Sequence, residues 1–287
     1  MPRLTLVTNF GYQATGREYA KEDLWLAGSL RRRGFQVATI HPNDLDTCDF
    51  ISSEFVLWRN TGPVTTHSES FYRWRQFQTD GKDHGKLVNN FLLKGDLRGK
   101  QHLLDLTTLG VYPVIETQLV RSFLASRNSE DQMVLIKPMD GADSIGQQVL
   151  RASELAKLAE ADSALYGFVA QRVVDFVYEV SFYIVGGTYV YALRTGSGPE
   201  GRWQLSPYTQ EQNPATWEAD MTFAMLFNKW NGRSRGVVRI DGVREATTGN
   251  LLLMEIEDYN PYLSLDLLPV SVQEIFADVL AESIKAK

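Results

Sequence analysis

The sequence is poor in cysteine and has no excess of positive charge. Cys48 is the one cysteine among 287 residues, which excludes an intramolecular disulfide, a multi-cysteine zinc site and an iron–sulfur cluster. Asp46 and Asp49 flank it and disfavour a thiolate, so a cysteine nucleophile is not expected. The 29 Lys and Arg residues against 35 Asp and Glu residues give a net charge of −6, which argues against a general nucleic-acid or anionic-membrane binder.

Long apolar runs are missing as well. No stretch approaches the ~20 apolar residues that a membrane span needs, and the short run 4–7 is typical of a first strand rather than a signal peptide. We therefore expect a cytoplasmic protein that binds neither a membrane nor a nucleic acid. The loop after this strand contains Gly11 and Gly16 but no Gly-x-Gly-x-x-Gly pattern, which argues against a nicotinamide-dependent oxidoreductase. The four histidines show no metal-ligand spacing.

The order of the predicted elements indicates an α/β protein. A helix pattern at 22–33 lies between strand patterns at 4–8, 35–40 and 55–58, and strands that alternate with helices form parallel sheets. Ser153 is a plausible N-cap for a later helix. Further elements are predicted along the rest of the chain: helices at 99–110, 153–164 and 271–286, and strands at 133–136, 168–174, 178–185, 188–194, 237–243 and 251–256.

Four segments in the second half of the chain carry chemically suggestive residues. In the first, 136–146 (IKPMDGADSIG), a strand delivers Lys137, which we expect to be partly exposed. A loop holding Gly141, Ser144 and Gly146 can then bring backbone N–H groups to phosphate oxygens. It is not a Walker loop, because no Gly-Lys-Ser/Thr follows. A solvent-exposed turn is the alternative.

The second segment is 171–174 (QRVV), with Glu179 further on. An extended backbone offers donors and acceptors to a purine edge, and a carboxylate beyond it can bind ribose hydroxyls. The alternative is an ordinary pair of strands with an exposed glutamate.

The third segment is the strand 237–241 (VVRID). The period of two along a strand places Arg239 and Asp241 on the same face. An ion pair on the surface, which would contribute little to stability, is the alternative.

The fourth segment is the strand end 251–261, where Glu255 and Glu257 share a face and Asn260 lies close behind. Converging carboxylates repel one another unless a hard cation lies between them, and oxygen ligands of this kind suit Mg²⁺. An acidic strand edge without a metal is the alternative.

In this order, the four segments resemble the ATP-grasp superfamily of carboxylate–amine ligases, of the D-alanine–D-alanine ligase and glutathione synthetase type. The resemblance implies an α/β fold with α+β lobes. A parallel α/β domain on the substrate side (1–87) would precede a two-lobed ATP-grasp domain, with a central lobe (88–167) and a C-terminal lobe that carries the metal site (168–287). It implies an ATP-dependent ligase that activates a carboxylate as an acylphosphate, joins it to an amine and releases ADP and phosphate.

The resemblance also implies a role for each matching residue. The residues that would bind ATP are Lys100, Lys137, Gly141, Ser144, Gly146, Gln171, Val173, Val174 and Glu179. The residues that would bind Mg²⁺ are Asp241, Glu255, Glu257 and Asn260. Arg239 would stabilise the charged intermediate and share the catalytic role with Lys137. Lys94 is the alternative to Lys100.

Two departures from the family pattern leave alternatives open. The adenine-binding segment begins with Gln171, where the family usually has Glu. The family's final pair is Glu-x-Asn, whereas this chain has Glu255-x-Glu257 and then Asn260. Strand alternation favours Glu255 with Glu257 as metal ligands, and the alternative is Glu257 with Asn260 across a bulge.

Substrates are expected at the N-terminal domain. Arg59 follows the strand 55–58 at the edge where open α/β sheets bind ligands, and we expect it to hold a substrate carboxylate. The alternative is a structural ion pair with a neighbouring acid. Arg194 is a second candidate. The partners implied are a small-molecule carboxylate and an amine, and a homodimer is compatible with the sequence. A small-molecule kinase and a non-ligating regulatory ATP-binding protein of the same fold are the alternative functions.

Overall fold

The computed structural model describes residues 1–13, 17–44, 52–59, 86–89, 93–126, 131–140, 144–197 and 203–286. Cys48 and Gly141 lie outside these residues. Within the described ranges, no helix is both long enough and apolar enough to cross a membrane.

A three-stranded parallel sheet forms the N-terminal part. Its strands β1 (Arg3–Val7), β2 (Gln36–Ile40) and β3 (Phe55–Trp58) lie in the order β2-β1-β3. Helix α1 (Tyr19–Arg32) connects β1 to β2 and buries one face, which carries Leu26 and Leu30 together with the charged residues Glu22 and Asp23. Past the end of the helix, Gly34 adopts a left-handed conformation at φ 86°, which glycine tolerates best. The predicted parallel α/β arrangement is confirmed.

Four antiparallel strands form a second sheet in the order β4-β7-β5-β6. They are β4 (Thr117–Leu119), β5 (Met133–Lys137), β6 (Gln148–Arg151) and β7 (Val169–Arg172). The helices of this part are α2 (Gln101–Leu109), α3 (Val120–Ala125) and α4 (Ala152–Ala161). Ile136 and Ala170 pack in the core with Leu155 of α4. Because successive residues of a strand face opposite sides, Lys137 and Gln171 lie on the other face of this sheet.

Five antiparallel strands form the third sheet in the order β10-β9-β8-β11-β12. They are β8 (Phe176–Val185), β9 (Thr188–Ser197), β10 (Trp203–Pro207), β11 (Val237–Glu245) and β12 (Leu251–Glu257). The other α-helices in the described part of the chain are α5 (Trp217–Asn231) and α6 (Val270–Lys285), and short 3-10 helices lie at Asp96–Arg98, Ser163–Gly167 and Leu265–Leu267. Phe227 of α5 packs in one core cluster with Ile240 of β11. Phe276 of α6 packs in another with Tyr191 of β9 and Leu6 of β1, so a common core joins the first and third sheets.

The structure differs from the sequence-based expectations in one helix cap and in several elements. The prediction of Ser153 as a helix N-cap is wrong, because α4 begins at Ala152 and the carboxylate of Glu154 accepts a hydrogen bond from the N–H of Arg151 at 2.9 Å. The sequence pattern also does not predict the short elements α3, β4, β6 and β10, nor the longer helix α5. That helix carries Met225 and Leu226 on its exposed side as well as a buried apolar face, which weakens the helical period.

Candidate active site

A cleft of about 660 Å³ opens between the second and third sheets. Strands β5, β6 and β7 line one wall, and strands β8, β11 and β12 line the other. Residues from the start of the chain and from the segment that follows β12 close one side of it. Most of the residues singled out in the sequence lie along this cleft.

The strand pair β11–β12 places four charged side chains on the cleft side. In its antiparallel register Arg239 lies opposite Glu257, and Asp241 lies opposite Glu255. The intervening Ile240 is fully buried in the core on the opposite face. The predicted alternation along both strand ends is therefore observed.

A β-bulge shapes the acidic end of β12. The register shifts between Asp241 and Gly242, so that Gly242 pairs with Leu253 and Met254 has no opposite residue. Leu253 packs in the core, whereas Met254 and Glu255 both line the cleft. The extra residue thus returns the alternation to the phase in which Glu255 faces the cleft.

Three carboxylates converge at this point. One oxygen from each of Asp241, Glu255 and Glu257 lies within 4.8 Å of the others. Burial and these neighbouring carboxylates raise the pKa of Glu257 to about 7 although Arg239 lies beside it. An all-oxygen donor set with excess negative charge fits a hard divalent cation such as Mg²⁺. Asn260 also lines the cleft, and its role as a ligand stays a prediction.

The guanidinium of Arg239 is held by two of these carboxylates. Its Nε donates to Asp241 Oδ1 at 2.9 Å, and a terminal nitrogen donates to Asp241 Oδ2 at 2.8 Å and to Glu257. Burial opposes its charge, but Asp241 and Glu257 outweigh burial and raise the pKa of Arg239 well above its usual range. Arg239 therefore remains a cation beside the carboxylate cluster, and a fixed cation of this kind can stabilise an oxyanion.

Lys100 and Lys137 reach the same cluster, and each is only 3% exposed. Lys100 donates a hydrogen bond to Glu255, and this carboxylate outweighs burial and raises the pKa of Lys100. Within the described residues, Lys137 has no ion-pair partner; burial and Lys100 lower its pKa, and Glu255 offsets only part of the effect. The expectation of a partly exposed Lys137 is wrong, because Lys137 lies on the face of the second sheet that lines the cleft and is buried there.

Glu255 and His102 complete this end of the site. Burial alone would raise the pKa of Glu255, but Lys100 and Lys137 lower it to about 2. His102 lies close by with Nδ1 at 2.9 Å from the carbonyl oxygen of Gly99, while Nε2 accepts from the Ile256 N–H at 3.2 Å. A carbonyl only accepts, so Nδ1 carries the proton. Burial lowers the pKa of His102 to about 4, and the ring is neutral.

The segment after β5 contains two residues in the left-handed region. Ser144 has φ 59° and lines the cleft, and Gly146 has φ 76°. A Cβ at Gly146 would lie 2.8 Å from Cγ of Pro138, so glycine suits this turn on both counts. Contacts of Ser144 and Gly146 with phosphate stay predictions, and the role predicted for Gly141 falls outside the described residues.

A further stretch of the cleft holds the residues predicted to bind the base and the ribose: Gln171, Val173, Val174 and Glu179. Gln171 Nε2 donates to Thr117 Oγ1 at 2.8 Å, and that hydroxyl donates to the carbonyl oxygen of Ile115 at 2.8 Å. This chain of hydrogen bonds fixes the Gln171 amide. Its buried Oε1 has no hydrogen-bond partner within the described residues, which fits an amino group of a ligand.

The prediction that Arg59 holds a substrate carboxylate is not supported by its position. Arg59 is 2% exposed and does not line the cleft. Its Nε donates to Asp23 at 3.0 Å, and its terminal nitrogens donate to Glu22 at 2.7 Å and to the carbonyl oxygen of Pro261 at 2.6 Å. Arg59 instead forms a structural ion pair, because the carboxylates of Glu22 and Asp23 on α1 already occupy its guanidinium.

Arg194 is likewise not a cleft residue. Its guanidinium lies over the ring of Tyr178, 4.9 Å from the centroid, and donates to Asn213 Oδ1 at 3.4 Å. The next residue along β9, Thr195, lines the cleft instead. The position of Arg194 therefore does not support its predicted contact with substrate, because alternation along β9 turns it away.

Sequence reasoning missed the residues that close the cleft near the start of the chain. Arg17 lies there with its guanidinium 5.5 Å from the centroid of the Tyr262 ring, and it donates to the hydroxyl of Tyr19 at 2.9 Å. Tyr12 lines the same wall. Because Arg17 follows β1 at the carboxyl edge of the parallel sheet, the rule that pointed to Arg59 would also have found it. No sequence signal distinguishes His102 from an ordinary helix residue.

Comparison with known proteins finds similarity in structure. No protein-family model matches the chain, and no curated protein matches it. Solved structures match it over almost its whole length, and the chain has the ATP-grasp fold, as the sequence predicts.

Three of the matching structures are a synthetase and two ligases. D-cycloserine synthetase DcsG is 24% identical with a TM-score of 0.72, over 99% of this chain and 100% of that one. D-alanine–D-alanine ligase from Bacillus anthracis is 12% identical with a TM-score of 0.65, over 99% and 96% of the two chains. The ATP-grasp ligase PsnB, in complex with a minimal precursor, is 14% identical with a TM-score of 0.65, over 98% and 99%. At these identities the similarity establishes the fold.

Proposed function

We propose that this protein is an ATP-dependent carboxylate–amine ligase that forms ADP and phosphate. The observation that carries the proposal is the convergence, in one cleft of an ATP-grasp fold, of two buried lysines, an arginine and three carboxylates. Such a set can hold a triphosphate, a divalent cation and an oxyanion together. The lowered pKa of Lys137 and the raised pKa of Glu257 support the proposal, because shifts of this kind concentrate at functional sites.

Each group has a distinct task in this proposal. Asp241, Glu255 and Glu257 would hold Mg²⁺, which when bound neutralises the charge of the triphosphate. Lys100 and Lys137 place positive charge against the phosphates. The other residues assigned to the nucleotide lie on β7 of the second sheet, on β8 of the third, and in the segments that follow β5 and β7: Ser144, Gly146, Gln171, Val173, Val174 and Glu179. Asn260 is retained as an alternative metal ligand.

The proposed chemistry proceeds in two transfers. A carboxylate oxygen of the acid attacks the γ-phosphorus; the new O–P bond forms as the bond to the β-phosphate breaks, and ADP leaves. The amine nitrogen then attacks the carbonyl carbon of the acylphosphate, phosphate leaves, and the nitrogen loses a proton. Arg239 faces the oxygen on which negative charge develops. The walls of the cleft exclude water, which would otherwise hydrolyse the acylphosphate.

The proposed substrates are a small carboxylic acid and a small amine. Two proteins of similar structure, D-cycloserine synthetase and D-alanine–D-alanine ligase, are named for small molecules, D-cycloserine and D-alanine. In place of Arg59 and Arg194, we assign the acid to the wall formed by Arg17, Tyr12 and Tyr262, which lies beside Arg239. The division into residues 1–87, 88–167 and 168–287, a cytoplasmic location and a homodimer belong to the proposal as well.

The test is a product analysis. The protein is incubated with ATP, Mg²⁺ and pairs of D- and L-amino acids, and released phosphate, ADP and AMP are measured alongside mass spectrometry of the products. The expected result is ADP and phosphate released in step with a dehydrated conjugate of one pair. AMP with pyrophosphate would contradict the proposed chemistry, and a stable phosphorylated acid would identify a kinase instead. Arg239→Gln serves as the inactive control.

A further inference from the structure

The buried ion pair of Arg59 and Glu22 is tied to the segment that follows β12. Arg59 donates to the carbonyl oxygen of Pro261. Glu22 accepts hydrogen bonds from the backbone N–H groups of Leu263 at 2.9 Å and of Leu265 at 3.3 Å. Two side chains of the N-terminal sheet and its helix thus fix three alternate backbone groups of one segment.

The residues that alternate with these anchors line the cleft. Asn260, Tyr262 and Ser264 alternate in sequence with the anchored residues, and all three belong to the cleft wall. Ser264 is held at φ 53°, in the left-handed region that only an over-determined backbone keeps. The ion pair therefore secures the segment from behind and presents every second residue of 260–264 to the cleft.

Tyr262 connects this segment to the reacting end of the site. Its carbonyl oxygen accepts hydrogen bonds from Arg239 at 3.4 Å and from the hydroxyl of Tyr183 at 3.1 Å. Its ring packs against the guanidinium of Arg17. The segment borders the wall assigned to the acid, whereas Gln171 and its base-binding strand belong to the second sheet.

We propose that Glu22 and Arg59 are positioning residues for the acid substrate. They act through the backbone of 260–264 and do not touch the substrate themselves. Loss of either tie lets the segment move, so the acid binds more weakly while the nucleotide does not. The inference rests on the proposed function and deepens it, since it names what holds the acid-binding wall in place.

The test compares Glu22→Gln with Thr8→Val. The amide of Glu22→Gln keeps the size of the side chain but has one acceptor oxygen in place of two, so a backbone N–H of the segment loses its partner. Thr8 is buried, and its hydroxyl donates to Asp23 at 2.6 Å. Thr8→Val therefore removes a hydrogen bond from Asp23, the neighbour of Glu22, at a residue that makes no hydrogen bond to the described residues 260–265. Melting temperature, the KM values for the acid and ATP, and backbone hydrogen exchange over 258–266 are measured for both variants.

The expected result is a split between the two variants. Glu22→Gln raises the KM for the acid fivefold or more, changes the KM for ATP less than twofold, and accelerates exchange at Leu263 or Leu265 at least tenfold. Thr8→Val lowers the melting temperature without either effect. An unchanged acid KM in Glu22→Gln, or an equal rise in Thr8→Val, overturns the proposal.

A second variant covers the case in which Glu22→Gln does not fold. Arg59→Lys keeps the charge but not the planar fork that reaches three acceptors at once, and it should show the same split. Failure of the proposed function is distinguishable, because the wild-type protein would then release no phosphate with any amino-acid pair. In that case the exchange measurement decides, and unchanged rates at Leu263 and Leu265 overturn the inference.

Discussion

Lys100 donates a hydrogen bond to the carboxylate of Glu255, and this pair joins the start of α2 to the acidic end of β12. Lys137 lies near the same carboxylate without an ion-pair partner in the described part of the chain. The two lysines are equally buried, yet the pKa of Lys100 is raised and that of Lys137 is lowered. Lys100 therefore contributes to the stability of the fold. The buried charge of Lys137 lowers stability, and binding of an anionic ligand would offset this loss.

This difference predicts opposite effects of the same substitution. Lys100→Met should lower stability by about 3 kcal/mol, since it leaves the partly buried Glu255 without its hydrogen-bond partner. Lys137→Met should leave stability unchanged or raise it, and should weaken ATP binding roughly tenfold or more, which corresponds to about 1.4 kcal/mol. Denaturant unfolding and calorimetric titration with a non-hydrolysable ATP analogue measure both effects. The exposed Lys157→Met is the control. If Lys137→Met binds ATP within twofold of the wild-type affinity, Lys137 does not contact the nucleotide and the prediction is wrong.

The carboxylate cluster predicts a dependence on Mg²⁺. Glu255→Gln, Glu257→Gln and Asp241→Asn should each raise the Mg²⁺ concentration needed for phosphate release by roughly tenfold or more, because each removes an oxygen ligand. Asn260→Ala should have a milder effect. Titration of Mg²⁺ against phosphate release tests all four, with the exposed Glu160→Gln as the control. A normal Mg²⁺ requirement in Glu255→Gln beside a severe defect in Asn260→Ala would assign the metal pair to Glu257 and Asn260.

Arg17 is expected to act on the acid rather than on ATP. Arg17→Gln should raise the KM for the acid at least fivefold, because it removes the positive charge from the wall formed with Tyr262, and should leave the KM for ATP within twofold. Initial rates with each substrate varied in turn provide the measurement, and Arg121→Gln on the exposed side of α3 is the control. A rise confined to the KM for ATP would place Arg17 in the nucleotide site instead.

His102 predicts a loss of stability in acid. Its pKa is about 4 in the folded protein and about 6.5 in an unfolded chain. As pH falls below 6.5 the unfolded state binds a proton first, so this residue should cost about 2 kcal/mol of stability between pH 7 and pH 5. His102→Gln lacks this proton uptake and should lose correspondingly less over the same interval. Urea unfolding at both pH values measures the difference, and His41→Gln should match wild type. Equal losses in wild type and His102→Gln would show that the ring already titrates normally.

Strand periodicity predicted the chemical part of the site. The alternation that aligns Arg239 with Asp241, and Glu255 with Glu257, depends only on residues two apart, which a single sequence contains. The bulge at Met254 was not predictable, since it arises from the pairing of β12 with β11. The carboxylate cluster was therefore expected, but the reason for its orientation was not.

Arg59 shows why the substrate side could not be predicted. The position of Arg59 at the end of β3 is readable from the sequence, whereas its partners Glu22 and Asp23 lie on α1 and meet it only after the sheet forms. That Arg59 is only 2% exposed is a result of tertiary packing. Arg17 shares the same sheet edge and faces the cleft, and local pattern alone does not separate the two.

Because of the bulge in β12, the orientation of its acidic side chains depends on the number of residues in the strand as much as on their identity. Deleting Met254 would remove the extra residue, so that β12 would pair with β11 without interruption. If Leu253 then kept its place in the core, Glu255 and Glu257 could no longer lie opposite Asp241 and Arg239. Inserting a residue there would have the same consequence. A substitution at Met254 leaves this count intact. Variation over 253–257 is therefore expected to change side chains and to conserve length, so that gaps between this chain and functional homologues should fall in the neighbouring turns.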